Sequence, residues 1–332
     1  MRNPISLLAA LLATLLLGGC ETLAYYAQAV GGQMALMSRT RPVPELLADP
    51  ATPQPLRTRL ELALAIRNYA VKELKLPDNA SYRRYADIGR PYAVWNVVAA
   101  PEFSLEPLQS CFPVAGCVSY RGFFSQQDAD RHAARLRSEG YDVHVQGVPA
   151  YSTLGRFDDP LLSTFIRYSD ADLARLIFHE LAHQVVYVKD DSTFNESFAV
   201  AVEREGVRRW LAAAGRDPQE FLEGQKRGAR RQALLDQASA RLQALYRSRL
   251  APEAMRERKR AELEDLRARL ASPGEAPNNA FLASFATYTQ LVTEFEFILK
   301  ESDNDLERFY AQVKRYAANA PSNRGPLSKP SP

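Results

Sequence analysis

The chain has 332 residues, 46% of them apolar and 24% charged, which is enough to bury a substantial core in one large or two smaller domains. This balance, with no long acidic or basic block, excludes the unusual compositional classes and points to a globular body. The formal net charge of +3 is small for the length, so no concentrated basic stripe argues for a nucleic-acid partner.

Residues 1–19 read as a signal peptide, because Arg2 precedes an apolar run, Ile5 to Leu17, that is too short to span a bilayer. The run ends in Leu17-Gly18-Gly19-Cys20, which resembles the lipobox of bacterial lipoproteins. That resemblance implies cleavage before Cys20 and acylation of its thiol, and hence a membrane as a partner of the mature chain. Glu21 in the next position implies, by the same resemblance, an outer-membrane anchor with the body facing the periplasm of a bacterial cell envelope. Residues 20–55 would then be a lipid-anchored helix, Leu23 to Met37, followed by a Pro-rich connector, Arg41 to Pro55, that spaces the body from the membrane.

Residues 56–168 form an α+β region. A helix rich in Leu, Ala and Arg runs from Leu56 to about Leu74 and stops at Lys75-Leu76-Pro77-Asp78-Asn79. β-Branched and aromatic enrichment predicts strands at Tyr92 to Ala99, Val114 to Phe124 and Tyr141 to Val148, with a helix from Asp128 to Ser138 between the last two. Cys111 and Cys117 enclose Pro113 and Gly116, which favour a turn, so in an oxidising compartment the pair predicts a disulfide. Two cysteines alone cannot make a structural zinc cage.

From Ser169 the pattern is helical, and residues 169–320 form one helical region. A capping sequence, Ser169-Asp170-Ala171-Asp172, opens a first helix. A second runs from about Phe194 to Ala214 and stops at Gly215. Residues 218–270 read as a charged helical hairpin broken at Pro252, either a solvated surface or a face for a protein partner. A last helical region, Ala280 to Ala318, precedes a Pro/Ser tail, 321–332, expected to be disordered.

The chemistry sits in Phe178-His179-Glu180-Leu181-Ala182-His183-Gln184. Two imidazoles four residues apart lie on one helix face, the spacing that suits two ligands of a single Zn²⁺ ion. Glu180, offset round the helix, reaches an attacking water without ligating the ion, the position of a general base. Leu173, Ile177, Leu181 and Val188 form the opposite, buried stripe. A short polar turn, Lys189 to Thr193, reverses the chain and presents Glu196 of Phe194-Asn195-Glu196-Ser197-Phe198-Ala199 as third ligand. Glu203, two turns on and nearly on the same face, either holds a histidine's other nitrogen or is a surface charge.

The HExxH sequence with its downstream Asn195-Glu196 resembles the gluzincins, whose second helix carries such a pair. Fewer residues separate His183 from Glu196 here than in thermolysin or the membrane alanyl aminopeptidases, so no long cleft-lining insertion fits between the helices. With Ala150-Tyr151-Ser152-Thr153-Leu154-Gly155 and Asn278-Asn279-Ala280, the mature chain is similar to a bacterial family of zinc aminopeptidase lipoproteins. The resemblance implies an α+β, mainly helical, zincin-like metalloprotease with one zinc ion per chain and a peptide as substrate. It also implies an oxyanion-stabilising tyrosine or histidine from downstream, for which Tyr288 is the candidate, a core or rim role being its alternative. Tyr151 to Leu154 is the candidate sheet edge for a peptide, and Glu203, Glu205 or Asn278 are candidates to receive a free amine. His132 and His144 lack ligand spacing and read as structural or exposed. The alternatives are an endopeptidase or cell-wall amide hydrolase with the same site, or a non-enzymatic envelope protein braced by structural zinc.

Overall fold

The computed structural model describes residues 23–319, except 24, 113–115, 156, 271–275 and 287–290. The signal peptide 1–19, Cys20, Tyr288 and the tail 321–332 lie outside the described residues. Most of the described chain is helical, with three small sheets, an α+β arrangement.

The first helix, α1, covers residues 25–37 and lies on the body with Leu36 buried. The connector expected after it is not a free spacer. Arg41–Pro42 (β1) pairs antiparallel with Arg84–Ala86 (β2), and Val43–Ala48 (α2) buries Val43 and Leu46. The prolines there start helices: Pro53 caps Gln54–Lys72 (α3), because a fixed φ and a missing N–H suit a first turn. Leu161–Leu162 (β8) adds to β2 in parallel.

Arg67 of α3 is fully buried, and its guanidinium donates to the carbonyls of Ser81 at 3.0 Å and of Pro77 and Asn79 at 2.9 Å. It thereby closes the turn after α3 over carbonyls that would otherwise be buried without donors. Asn79 in turn donates to Gln184 Oε1 at 2.5 Å, which ties this turn to the residue following His183.

The main sheet is antiparallel, with Val94–Ala100 (β3) between Arg121–Phe123 (β6) and Asp142–Val148 (β7). Alternation along β3 sends Trp95, Val97 and Ala99 towards Gln126–Ser138 (α4). Val98 and Ala100 pack with Ala280 and Ala283 of Asn279–Ala286 (α9) on the other face. The single strand expected over Val114 to Phe124 is instead a hairpin, Ser110–Phe112 (β4) with Gly116–Val118 (β5), followed by β6. The disulfide between Cys111 and Cys117, directly opposite in that hairpin, makes this reversal. Nor is Tyr151 to Leu154 an edge strand: Leu154 is left-handed at φ +57°, and Thr153 is bound to Asp159 through its N–H and, at 2.7 Å, its hydroxyl.

Asp170–Ala182 (α5) and Ser192–Ala213 (α6) make the most extensive contact between helices. Gly206 permits it, since a Cβ there would stand 2.8 Å from Leu74 Cδ1 and 2.9 Å from Phe178 Cδ2. The charged hairpin is Gln219–Tyr246 (α7) and Pro252–Leu270 (α8), with Leu235, Ala238, Leu242 and Leu266 buried against Leu282 of α9. It is also fastened to the sheet region, for Lys259 donates to Asp142 Oδ2 at 2.7 Å and to the Glu102 carbonyl at 2.8 Å. Val292–Glu301 (α10) and Leu306–Asn319 (α11) cover α6 with Phe295, Phe309 and Tyr310, which pack on Phe194 and Phe198.

Candidate metal centre

α5 begins with Ser169 capping the Asp172 N–H, and Asp170 and Asp172 in its first turn complement the helix dipole. Arg59 holds this end by donating to the carbonyls of Ile166 and Tyr168 and to Asp170. Leu173, Ile177, Phe178 and Leu181 are fully buried, Phe178 against Gly206 of α6, and His179 on another side of α5 faces Glu196 and Glu203 of α6. His183 is the C-cap and keeps helical angles, so its ring stays in line with that of His179 one turn earlier.

Three side chains converge there. The Nε2 atoms of His179 and His183 are 3.2 Å apart, with the rings at 85°. Glu196 Oε2 stands 3.3 Å from His179 Nε2, and Glu196 Oε1 stands 3.8 Å from His183 Nε2. Ligand bonds of about 2.0–2.1 Å meeting at tetrahedral angles place ligand atoms about 3.3–3.4 Å apart. The observed separations are close to that, and two imidazole nitrogens face each other at such range only with a proton or cation between them. The three residues can therefore hold a metal ion.

The turn between the helices fixes Glu196. Asn195, 2% exposed, accepts from the Val188 N–H and donates to the Val188 carbonyl, both at 2.7 Å. Asp191 caps α6 by accepting from the Phe194 N–H at 2.9 Å. Behind the site, His179 Nδ1 donates to Glu203 Oε2 at 2.8 Å, and Arg175 lies 3.7 Å from the other oxygen of Glu203. The acceptor-only carboxylate fixes the proton on Nδ1 and leaves Nε2 directed at Glu196.

Burial disfavours a charged His179, but hydrogen bonds to Glu196 and Glu203 outweigh it and hold its pKa well above the ordinary value. Burial pushes His183 down to about 4. Burial would raise Glu196, yet His183 and His179 hold it below the usual carboxylate range. The acids thus draw positive charge onto His179 while His183 stays neutral, and a divalent cation bound there would release that proton. Glu180 differs from both: burial lifts it to about 7, with His179 opposing and Glu196, Asp159 and Glu203 adding. A carboxyl group there can both take and return a proton near neutral pH.

Sequence reasoning missed Tyr120, between β5 and β6. Tyr120 is 39% exposed, and desolvation, then the charges of Glu196, Tyr187 and Glu180, raise its pKa. Its strand pair is seated on the ligand turn, for Asp190 accepts from the Cys117 N–H, and a Cβ at Gly116 (φ +76°) would collide with Lys189 and Asp190. The only sequence sign was the cysteine pair, which forces a tight reversal here.

Other candidates are engaged elsewhere. Glu205 pairs with Arg208 and Arg209, and Asn278 donates to the Val143 carbonyl and accepts from the Phe281 N–H, so neither is free to receive an amine. Glu203 is committed to His179 and Arg175. His132 lies against Phe123 and Arg135, and His144 against Phe281.

The fold and site define a helical α+β chain in which two antiparallel helices present a His, His, Glu cluster beside a half-buried carboxyl group. A family model described as "Putative aminopeptidase" matches residues 24–326, and the chain belongs to that family. The description is that of a peptidase, a hydrolase. No curated protein and no solved structure matches the chain.

Proposed function

We propose that the protein is a zinc-dependent peptidase of zincin-like design, an aminopeptidase, anchored by a lipid on Cys20 and facing the periplasm. The observation that carries this reading is the convergence of His179, His183 and Glu196 at tetrahedral ligand spacing, with Glu180 beside them but outside the ligand set. Nitrogen and carboxylate donors of this kind suit zinc, and three protein ligands leave a position open, whereas a structural site closes with four. When bound, the ion lowers the pKa of water and polarises the scissile carbonyl.

The chain's own residues do the rest. Glu180 takes a proton from the attacking water on a carboxylate oxygen as the water's oxygen bonds to the carbonyl carbon. It then delivers that proton to the nitrogen of the departing amine as the C–N bond breaks, leaving a free amine and a carboxylic acid, which gives its remaining proton to solvent or to the amine at neutral pH. Glu203 keeps the His179 ring in one orientation throughout. Tyr120, near enough to Glu196 and Glu180 for their charges to raise its pKa, is our candidate to donate a hydrogen bond to the oxyanion. Tyr288, the candidate from the family resemblance, lies outside the described residues.

Support for the location comes from the lipobox-like Leu17 to Cys20 and from the Cys111–Cys117 disulfide, which suits an oxidising compartment. The test is zinc stoichiometry of the mature protein together with hydrolysis of fluorogenic amino-acid amides and N-blocked peptides. One zinc per chain and cleavage of free-amine substrates only, lost by a factor of about 10²–10⁴ in Glu180→Gln, is expected. Full activity in that variant overturns the mechanism, and cleavage of blocked substrates alone overturns the aminopeptidase assignment.

A further inference from the structure

The outer face of α1 is apolar and open. Tyr26 (36% exposed), Val30 (58%) and Met34 (67%) recur at four-residue intervals on one side of this helix, and Leu23 (72%) precedes them. Ala27, Gly31 and Ala35, also exposed, flank this stripe on one side, where Gly31 and Ala35 line a cleft with Arg39 and Arg90. Between Glu21 and Arg39 the chain has no Asp, Glu, Lys or Arg at all. A helix that met only water on this side would carry charges there.

The inner face is firmly held. Tyr25 packs on Phe112 and Phe123, each with ring centroids at 5.6 Å, under the Arg121 guanidinium at 4.1 Å. Gln28 accepts from the Phe124 N–H at 3.2 Å, and Gly32 meets the Phe124 ring too closely for any side chain. Immediately after α1, Arg84 donates to the Thr40 hydroxyl at 2.8 Å and carbonyl at 2.9 Å. α1 is therefore a fixed ledge of the body, and Cys20 stands only three residues before the first exposed leucine.

We infer that the outer face of α1 lies on a lipid bilayer, so that the body rests directly on the membrane instead of hanging from a spacer. This rests on the lipid-anchor reading above. Two further observations favour lipid over a protein occupant. The stripe starts where the apolar run Ile5 to Leu17 and Cys20 end, so an acyl chain on Cys20 enters the bilayer beside Leu23. Tyr26, at the margin of the stripe, places an amphipathic ring at headgroup level, as aromatic residues do at membrane interfaces. The consequence for the site is proximity. α1 sits on β4 and β6, the β4–β5 hairpin sits on the Lys189–Asp190 turn, and that turn joins the two ligand helices, so one layer of protein separates bilayer and metal centre.

The test places tryptophan at Val30 and, as control, at the comparably exposed Phe297 of α10. Each full-length chain, processed in a bacterial host, is reconstituted in phosphatidylethanolamine and phosphatidylglycerol vesicles with acyl chains brominated or not. The mass of the N-terminal peptide reports acylation of Cys20. The native Trp95 and Trp210 are subtracted with the unsubstituted chain; of the emission gained, bromination is expected to quench that of V30W by about twofold and to leave that of F297W nearly unchanged, because an interfacial helix sinks its apolar face below the headgroups. An acylated chain in which V30W is quenched no more than F297W overturns the inference and leaves the anchor intact. A chain without acyl groups whose V30W is still quenched supports the inference and overturns the anchor. A blue shift of V30W that depends on protein concentration without vesicles means that a second copy covers the face, and it also overturns the inference.

Discussion

His179 and Glu203 form a 2.8 Å hydrogen bond in which the imidazole donates from Nδ1 and the carboxylate, 6% exposed, accepts. Glu203 lies two turns along α6 from Glu196, so one helix supplies both the carboxylate facing the cluster and the one that aims its first histidine. Truncation to Ala leaves the Nδ1 proton without its partner and Arg175 without its counter-charge. Metal affinity should fall by about 10–100-fold in Glu203→Ala, measured by competition with a calibrated chelator. Glu203→Gln keeps an acceptor oxygen and should recover much of the loss. Equal affinities in all three chains would make Glu203 a helix charge with no part in the site.

The charges of Glu196 and Glu180 raise the pKa of Tyr120, which is 39% exposed. Tyr120→Phe keeps the ring and removes the donor. If the hydroxyl meets developing negative charge, kcat should fall by about 10²–10³-fold with KM and zinc content nearly unchanged. A raised KM with unchanged kcat would make Tyr120 a binding wall instead.

The contrast between Tyr120 and the cluster residues marks what a sequence of this kind reveals. His179, Glu180 and His183 are legible because helical spacing alone puts them together, and Glu196 and Glu203 because a short turn can only return the chain antiparallel. The segment carrying Tyr120 is brought near the cluster by tertiary packing: Cys111 and Cys117 are bridged across a hairpin, and that hairpin settles on Lys189 and Asp190. No local periodicity records that. The prolines from Pro42 to Pro55 misled for a related reason, since proline suits both an extended spacer and the first turn of a helix, and only pairing of β1 with β2 decides between them. The Tyr151 to Leu154 segment reads as extended until the buried Asp159 is seen to fold Thr153 onto itself.

Asn195 is the residue that turns the short interhelical loop into a fixed distance. Its amide satisfies both the N–H and the carbonyl of Val188 at 2.7 Å. In Asn195→Asp the acceptor survives, but a carboxylate oxygen replaces the donor opposite the Val188 carbonyl, inside the protein. A loss of about 1–3 kcal/mol in unfolding free energy is expected, since a buried carbonyl is left unpaired. Chelator competition should show weaker metal binding as well, because Glu196 is the next residue. Weaker stability with undiminished metal affinity would separate the turn from the site.

Asp159 supplies a pH prediction at a residue that is no metal ligand, though its charge contributes to raising Glu180. Its carboxyl is 3% exposed, and burial raises its pKa to about 6 in spite of hydrogen bonds from Thr153 and Ser152. An unfolded Asp titrates near about 3.9, so between these two values the folded chain binds more protons than the unfolded one. Its contribution to stability is therefore fully present below about pH 4 and is lost as pH rises through about 6, a fall of about 3 kcal/mol. Asp159→Asn cannot ionise and keeps one oxygen to accept from the Thr153 N–H. Glu180 and His183 titrate in the same window with opposite signs, so the quantity to read is the difference between the two chains in urea unfolding from pH 4 to pH 8. That difference should move in favour of the variant as pH rises and level off above about pH 7. A difference that stays constant across the range would mean that Asp159 is no harder to ionise in the folded chain than in the unfolded one, and the Thr153 and Ser152 donors would then have offset its burial completely.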